Sequence, residues 1–267
     1  MKLRYAIISI LFLTTLILNS CVTRKKLTYL QYSGKFDNSI VPVSNTRITV
    51  TPSIYKLMAN DILYISVLTP DPQWSTLFNK VPVGTGGTLT DQSAALLGYP
   101  VDNNGDIELP FIGKLQIAGK TLSEIKVDLD STLKNYVADA SITVRMVNNY
   151  VSIIGEVNAP GRFPLTKDYF NVFEVLSMAG DLKDYSDRQK LQLIRQTQNG
   201  PIVKEFSLSD RSILTSELYY LMPNDIIYVQ PRKGRGFGTN SSTFMLVLST
   251  ISSFLVLYSF FAFSSPR

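Results

Sequence analysis

The chain is strongly apolar at both ends and mixed in polarity between them, so it describes a folded body held at a membrane by its termini. Residues 1–21 read MKLRYAIISILFLTTLILNSC, with Lys2 and Arg4 as a basic n-region and Ala6 to Leu18 as an apolar run. That layout is a secretory signal and is set aside from fold reasoning. Residues 244–263 read FMLVLSTISSFLVLYSFFAF and carry no charge. As a helix rising 1.5 Å per residue they would extend about 30 Å, the thickness of the hydrocarbon core. We therefore expect a signal at 1–20 and a transmembrane helix at 244–263.

Leu18-Asn19-Ser20-Cys21 is similar to the bacterial lipoprotein box, in which diacylglycerol is attached to a cysteine that cleavage then leaves N-terminal. The chemistry needs a thiol as nucleophile and small or polar residues just before it. On this reading Cys21 is the lipidation site, and its acyl chains anchor firmly because each buried methylene contributes roughly 0.8 kcal/mol. The competing reading is an uncleaved signal anchor with a chance cysteine. Residues 21–50, with Arg24, Lys25 and Lys26, read as a lipidated N-terminus and tether.

Composition removes several function classes. A single cysteine excludes an intramolecular disulfide and a cysteine-built metal cluster, and the absence of histidine removes His-based triads and most zinc sites. The net charge of +5 falls to about +3 once Lys2 and Arg4 leave with the signal. Its basic residues are scattered and the chain is exported, so no nucleic-acid partner is expected. No cofactor or metal is expected either. The acidic residues sit in turns, caps and strand starts, where local structure explains them, although a carboxylate pair for glycoside hydrolysis depends on proximity that one sequence does not reveal.

Between the ends, turn and period signals predict an α+β body. Asn60-Asp61 is a turn that opens the β-rich run Ile62 to Val67, and Leu221-Met222-Pro223-Asn224-Asp225-Ile226 echoes Leu57 to Ile62 at a distance of 164 residues. We read the echo as a reused unit in which an Asp ends a turn and starts a strand. Residues 71–98 carry no sustained period and read as a long loop or insertion. Within it Trp74 offers a sugar platform or intersubunit anchor, against the plainer reading of packing. Asp102 to Asp106 is a tight turn; Asp102, Asp106 and Glu108 lack the spacing of a calcium loop. Thr121 and Glu124 form a capping box for a helix through Ile125, Leu129 and Leu133, followed by a strand at Ser141 to Val147. Val151 to Leu165 predicts two strands around Pro160-Gly161, Asn171 caps a helix ending at Gly180, and Asn199-Gly200 turns a hairpin.

These segments resemble outer-membrane polysaccharide export lipoproteins of the Wza-like family. The resemblance runs through Tyr55 to Val67, Val101 to Gly113, Ala118 to Leu122 with the helix after it, and Tyr136 to Val147. The stretch from Val151 to Pro164 and from Asn171 to Gly180 is similar to the β-grasp-like soluble ligand-binding (SLBB) domain of that family. The resemblance implies a polysaccharide export domain at 51–148 and an SLBB/β-grasp-like domain with a returning strand at 149–231, and the glycines and basic residues of 232–243 read as a flexible basic linker. The resemblance further implies a homo-oligomeric ring whose C-terminal helices form an α-helical barrel in the outer membrane. The bulk of the chain would lie in the periplasm, held by the N-terminal lipid. Capsular or exopolysaccharide would be the transported substrate, handed on by an inner-membrane copolymerase that is often associated with a tyrosine kinase. No enzymatic activity is implied. One ligand-binding-like repeat, where larger members carry two, implies a shorter ring stack.

In the C-terminal run Ser242, Ser249 and Ser253 recur at seven and four residues and share one helical face, with Phe244, Leu248, Ile251, Leu255 and Tyr258 opposite. In a ring of helices the serines would face the pore and the apolar side the outer-membrane lipid. In a lone helix the same hydroxyls would bond carbonyls one turn back. Two rivals to the channel remain from sequence: a periplasmic scaffold of a polysaccharide or cell-wall complex that forms no pore, and a carbohydrate-active enzyme.

Overall fold

In a computed structural model the structure describes residues 27–31, 50–79, 96–137, 139–233 and 241–264, with side chains of the last segment described at 245–260. Cys21, the signal and the linker at 234–240 lie outside the described residues.

The first lobe grows from strand β1 (Ile62–Leu68), whose alternation buries Leu63, Ile65 and Val67 on one face. It is the centre of a three-stranded antiparallel sheet, between β2 (Tyr99–Pro100) and β5 (Ser141–Met146), with Leu63 opposite Met146 and Leu68 opposite Ser141. A hairpin of β3 (Asp106–Leu109) and β4 (Gly113–Gln116) stands beside it. Helix α2 (Leu122–Leu133) covers the core with Ile125, Leu129 and Leu133, spaced four apart so that they share a face. It starts as the sequence predicts: Thr121 Oγ1 accepts the Glu124 N–H at 3.3 Å, and Glu124 returns a carboxylate oxygen to the Thr121 N–H at 2.8 Å. Residues 71–98 are not all loop. Helix α1 (Pro72–Phe78) lies within them, capped by Asp71 with Pro72 at its first position. Proline has no N–H to lose there and its fixed φ suits a first turn.

The second lobe is a five-stranded sheet in the order β10-β9-β12-β6-β7. Its strands are β6 (Tyr150–Gly155), β7 (Gly161–Pro164), β9 (Ser186–Thr197), β10 (Gly200–Phe206) and β12 (Ile226–Pro231). All pairs are antiparallel except β12 with β6, which run parallel at the centre. Helix α3 (Val172–Met178) packs Val172, Val175 and Leu176 on the sheet, and a short pair of β8 (Phe170–Asn171) and β11 (Tyr220–Leu221) closes one end. Asn171 caps α3 and Glu174 completes the box. Gly155 has φ +97°, and a Cβ there would sit 2.1 Å from the Val229 carbonyl oxygen. Only glycine lets β12 pair so closely at that point.

Two separate hydrophobic cores result. Leu57, Leu63, Ile107, Ile117, Ile125 and Leu129 lead the first, and Val151, Ile153, Val175, Leu191, Leu193 and Ile227 the second. The mixed α+β architecture agrees with the sequence reading. The membrane span does not follow so simply. Helix α4 (Ser241–Ser264) is 24 residues long, yet among the described residues no helix is long and apolar enough to cross a membrane. The expected transmembrane helix is therefore not established, and neither is the barrel.

Candidate functional site

The Leu-Met-x-Asn-Asp-Ile echo folds into the same turn twice. Asn60 and Asn224 both take positive φ, +71° and +64°, a conformation that asparagine tolerates better than most side chains. In each turn the following Asp is buried, its N–H donates to the Met carbonyl three residues back at 3.2 Å, and its carboxylate accepts the Met N–H. The carboxylate distances are 2.8 Å for Asp61 and Met58, and 2.7 Å for Asp225 and Met222. The sequence reading that Asp ends a turn and starts a strand holds at both places.

The two carboxylates have different company. Asp225 is gripped by Arg195, with Nε donating to Oδ1 at 2.9 Å and Nη2 to Oδ2 at 2.7 Å. Asp61 accepts from the Tyr55 hydroxyl at 2.9 Å and, at a long 3.4 Å, from Asn224 Nδ2. The second turn thus reaches across to the first, and the echo marks the joint between lobes. Asn148, where the chain crosses, ties the same place: its Oδ1 accepts the Ile62 N–H and its Nδ2 donates to the Asn60 carbonyl. Burial pushes both carboxyls above the ordinary aspartate range; the Met58 amide and the Tyr55 hydroxyl counter it at Asp61, the Arg195 guanidinium at Asp225. Burial and the neighbouring Asp61 carboxylate raise the Tyr55 phenol well above its usual value.

A second tie concerns the lead-in. Residues 27–31 lie on the second lobe: the Leu30 N–H donates to the Leu208 carbonyl, Gln31 N–H to Ser209, and Arg211 Nε to the Leu30 carbonyl. Tyr29 donates its hydroxyl to Asp181 at 2.6 Å and meets the edge of Phe173, and its phenol is pushed up to about 12, chiefly by burial. Nearby, Arg232 donates to the carbonyls of Asp184 and Tyr185. The segment that follows the expected lipid site and the one that leads to α4 therefore meet one loop, 181–185. Sequence reasoning found neither tie, because the partners are 152 and 48 residues apart. The Asp61–Asn224 contact did have a signal, the echo itself.

The residues singled out from sequence fare unevenly. Cys21 lies outside the described residues, and the side chains of Ser242 and Phe244 are not described. Ser249 donates to the Leu246 carbonyl and Ser253 to Ser249, the back-bonding of a lone helix. Leu248, Ile251, Leu255 and Tyr258 are all exposed, so the apolar face of α4 packs against no other described part of the chain. Trp74 stacks on Phe78 with ring centroids 6.1 Å apart and keeps 39% of its surface exposed. Asp102 Oδ1 accepts the N–H groups of Asn104 and Asp106, which is turn chemistry.

Residues 49–147 match the family model described as polysaccharide biosynthesis/export protein. The EPS I polysaccharide export outer membrane protein EpsA of Ralstonia nicotianae is 26% identical over 189 residues, covering 67% of this chain and 48% of that protein. The exopolysaccharide production protein ExoF of Rhizobium meliloti is 30% identical over 108 residues, 39% of this chain and 25% of its own length. The capsule polysaccharide export protein BexD of Haemophilus influenzae is 26% identical over 155 residues, 56% of this chain and 38% of its own. The chain spans about half the length, or less, of these relatives. The match covers the whole first lobe, from before β1 to the end of β5, so that lobe is similar to the polysaccharide biosynthesis/export family.

Proposed function

We propose that this protein is an outer-membrane subunit for export of capsular or exopolysaccharide, working as a homo-oligomeric ring. The observation that carries it is the match of residues 49–147 to the polysaccharide biosynthesis/export family. On this reading the first lobe is the export domain and the second an SLBB/β-grasp-like domain. Cys21 carries the lipid anchor, and the bulk of the chain stands in the periplasm facing an inner-membrane copolymerase, with or without a tyrosine kinase. The protein binds and passes polymer without catalysis. Helix α4 supports membrane association: residues 241–264 include no charged side chain, and Met245, Phe254, Val256 and Phe260 are each more than 60% exposed. Such a surface needs lipid or copies of itself as cover. Copies arranged in a barrel would turn Ser242, Ser249 and Ser253 to the passage and Phe244, Leu248, Ile251, Leu255 and Tyr258 to lipid.

The scaffold alternative draws on one observation. The hydroxyls of Ser249 and Ser253 are satisfied inside their own helix and need no water-filled lumen. Gene deletion in the producing cells decides between the readings. Deletion abolishes surface polysaccharide and the full chain restores it; a chain ending at residue 240 but keeping Cys21 fails to restore it. Rescue by the shortened chain would establish the scaffold, and unchanged surface polymer in the deletion strain would contradict both.

A further inference from the structure

The joint between the lobes encloses a cleft of about 680 Å³, within the range of small-ligand sites. Its floor is the pair of echoed turns with Asn148, one wall is the turn at 103–105 with Ala118, and the other is the tip of the β9–β10 hairpin. Among the described lining residues Asp61 is the only acidic or basic side chain, and burial disfavours its charge. Besides Asn148 and Asn224, whose side chains tie the joint, five carboxamides line this space: Asn60, Asn103, Asn104, Gln196 and Gln198. Among the described residues, none of their side-chain amides makes a hydrogen bond within the protein. Each therefore retains a carbonyl acceptor and two N–H donors for a ligand.

We infer that this cleft binds a short neutral glycan segment of the exported polymer, a role that rests on the export reading. The lining selects by chemistry. A phosphate or uronate would lose its hydration and meet no cation among the described lining residues, the nearby Arg162 being stacked on the ring of Tyr150. A lipid or other apolar molecule would strip water from the carboxamides without replacing their hydrogen bonds. A sugar ring presents vicinal hydroxyls, each both donor and acceptor, which a carboxamide matches with its N–H and C=O. It also presents a C–H face, for which Met58, Ala59 and Ala118 supply an apolar strip. Because the cleft takes walls from both lobes, bound glycan would also hold them at one angle.

The test uses full-length protein in detergent and short oligosaccharides released by partial acid hydrolysis of the producing cells' own surface polymer. Saturation-transfer NMR is expected to show sugar C–H protons receiving magnetisation. The double variant N103A/Q196A, which alters exposed side chains, should bind about tenfold more weakly, as the loss of two neutral hydrogen bonds implies, with an unchanged unfolding midpoint. No transfer, or equal affinity in the wild type and the variant, overturns the inference. Those outcomes leave the export reading standing if gene deletion still removes surface polymer. If deletion leaves surface polymer intact, the export reading falls and the glycan assignment with it.

Discussion

The two lobes use one turn and stabilise its buried aspartate in opposite ways. In the second lobe Asp225 meets a full positive charge, with the Arg195 side chain 13% exposed and the Asp225 side chain 0%. In the first, Asp61 has a phenol, a backbone amide and the side-chain amide of the other lobe's asparagine. A charge pair is a rigid internal solution, costly to break but indifferent to neighbours. A set of neutral donors holds less tightly and depends on where the neighbouring lobe sits. The same six-residue pattern thus makes a structural lock in one lobe and a joint to the neighbouring lobe in the other.

Removing each carboxylate separates the two most sharply. Asp225→Ala strands the Arg195 guanidinium and should cost about 3–5 kcal/mol. Asp61→Ala leaves neutral donors unmet and should cost about 1–3 kcal/mol. Urea unfolding of the detergent-extracted protein, followed by circular dichroism, compares them; equal losses would abolish the distinction between lock and joint.

Titration sharpens it next. With a folded-state value raised above the unfolded 3.9 or so, a carboxyl binds more protons in the native chain, so its contribution to stability falls as pH rises through the folded value. Both aspartates are raised, and the wild type should therefore gain stability relative to Asp61→Asn as pH falls from 7 toward about 4. Unfolding midpoints of the pair across that window check the sign, and a gap that moves the other way refutes the assignment to Asp61.

The helix caps predict equality rather than contrast. Thr121→Ala in the first lobe and Asn171→Ala in the second each remove a capping box and should each cost about 1 kcal/mol. The smallest effect belongs to the turn backbone. Asn60→Gly keeps the positive φ available, so it should change stability by no more than about 0.5 kcal/mol. Asn60→Ala should cost about 1–2 kcal/mol, because alanine resists the left-handed region.

What could be read from the amino-acid order was local. Thr121 with Glu124, Asn171 with Glu174, the Asp102 turn and the Asn199-Gly200 hairpin are short-range hydrogen-bond patterns, and the structure keeps each. Helix α1 escaped because seven residues give too little period to see, though Asp71-Pro72 carried its start. Strand β9 begins at Ser186, five residues before its alternation is clear. The Arg195–Asp225 grip and the Tyr29–Asp181 latch depend on tertiary placement across 30 and 152 residues, for which no local pattern exists. At the candidate site the echo pointed to the right residues without revealing that the two copies meet. The serine stripe on α4 is equally compatible with a lone helix and a ring, since neighbours rather than sequence decide which face is covered.

Electron microscopy of detergent-extracted full-length protein tests the central claim most directly. The account predicts discrete closed rings of this chain with a central opening, crowned by a cylinder of C-terminal helices. Monomers persisting across detergents and concentrations would contradict it.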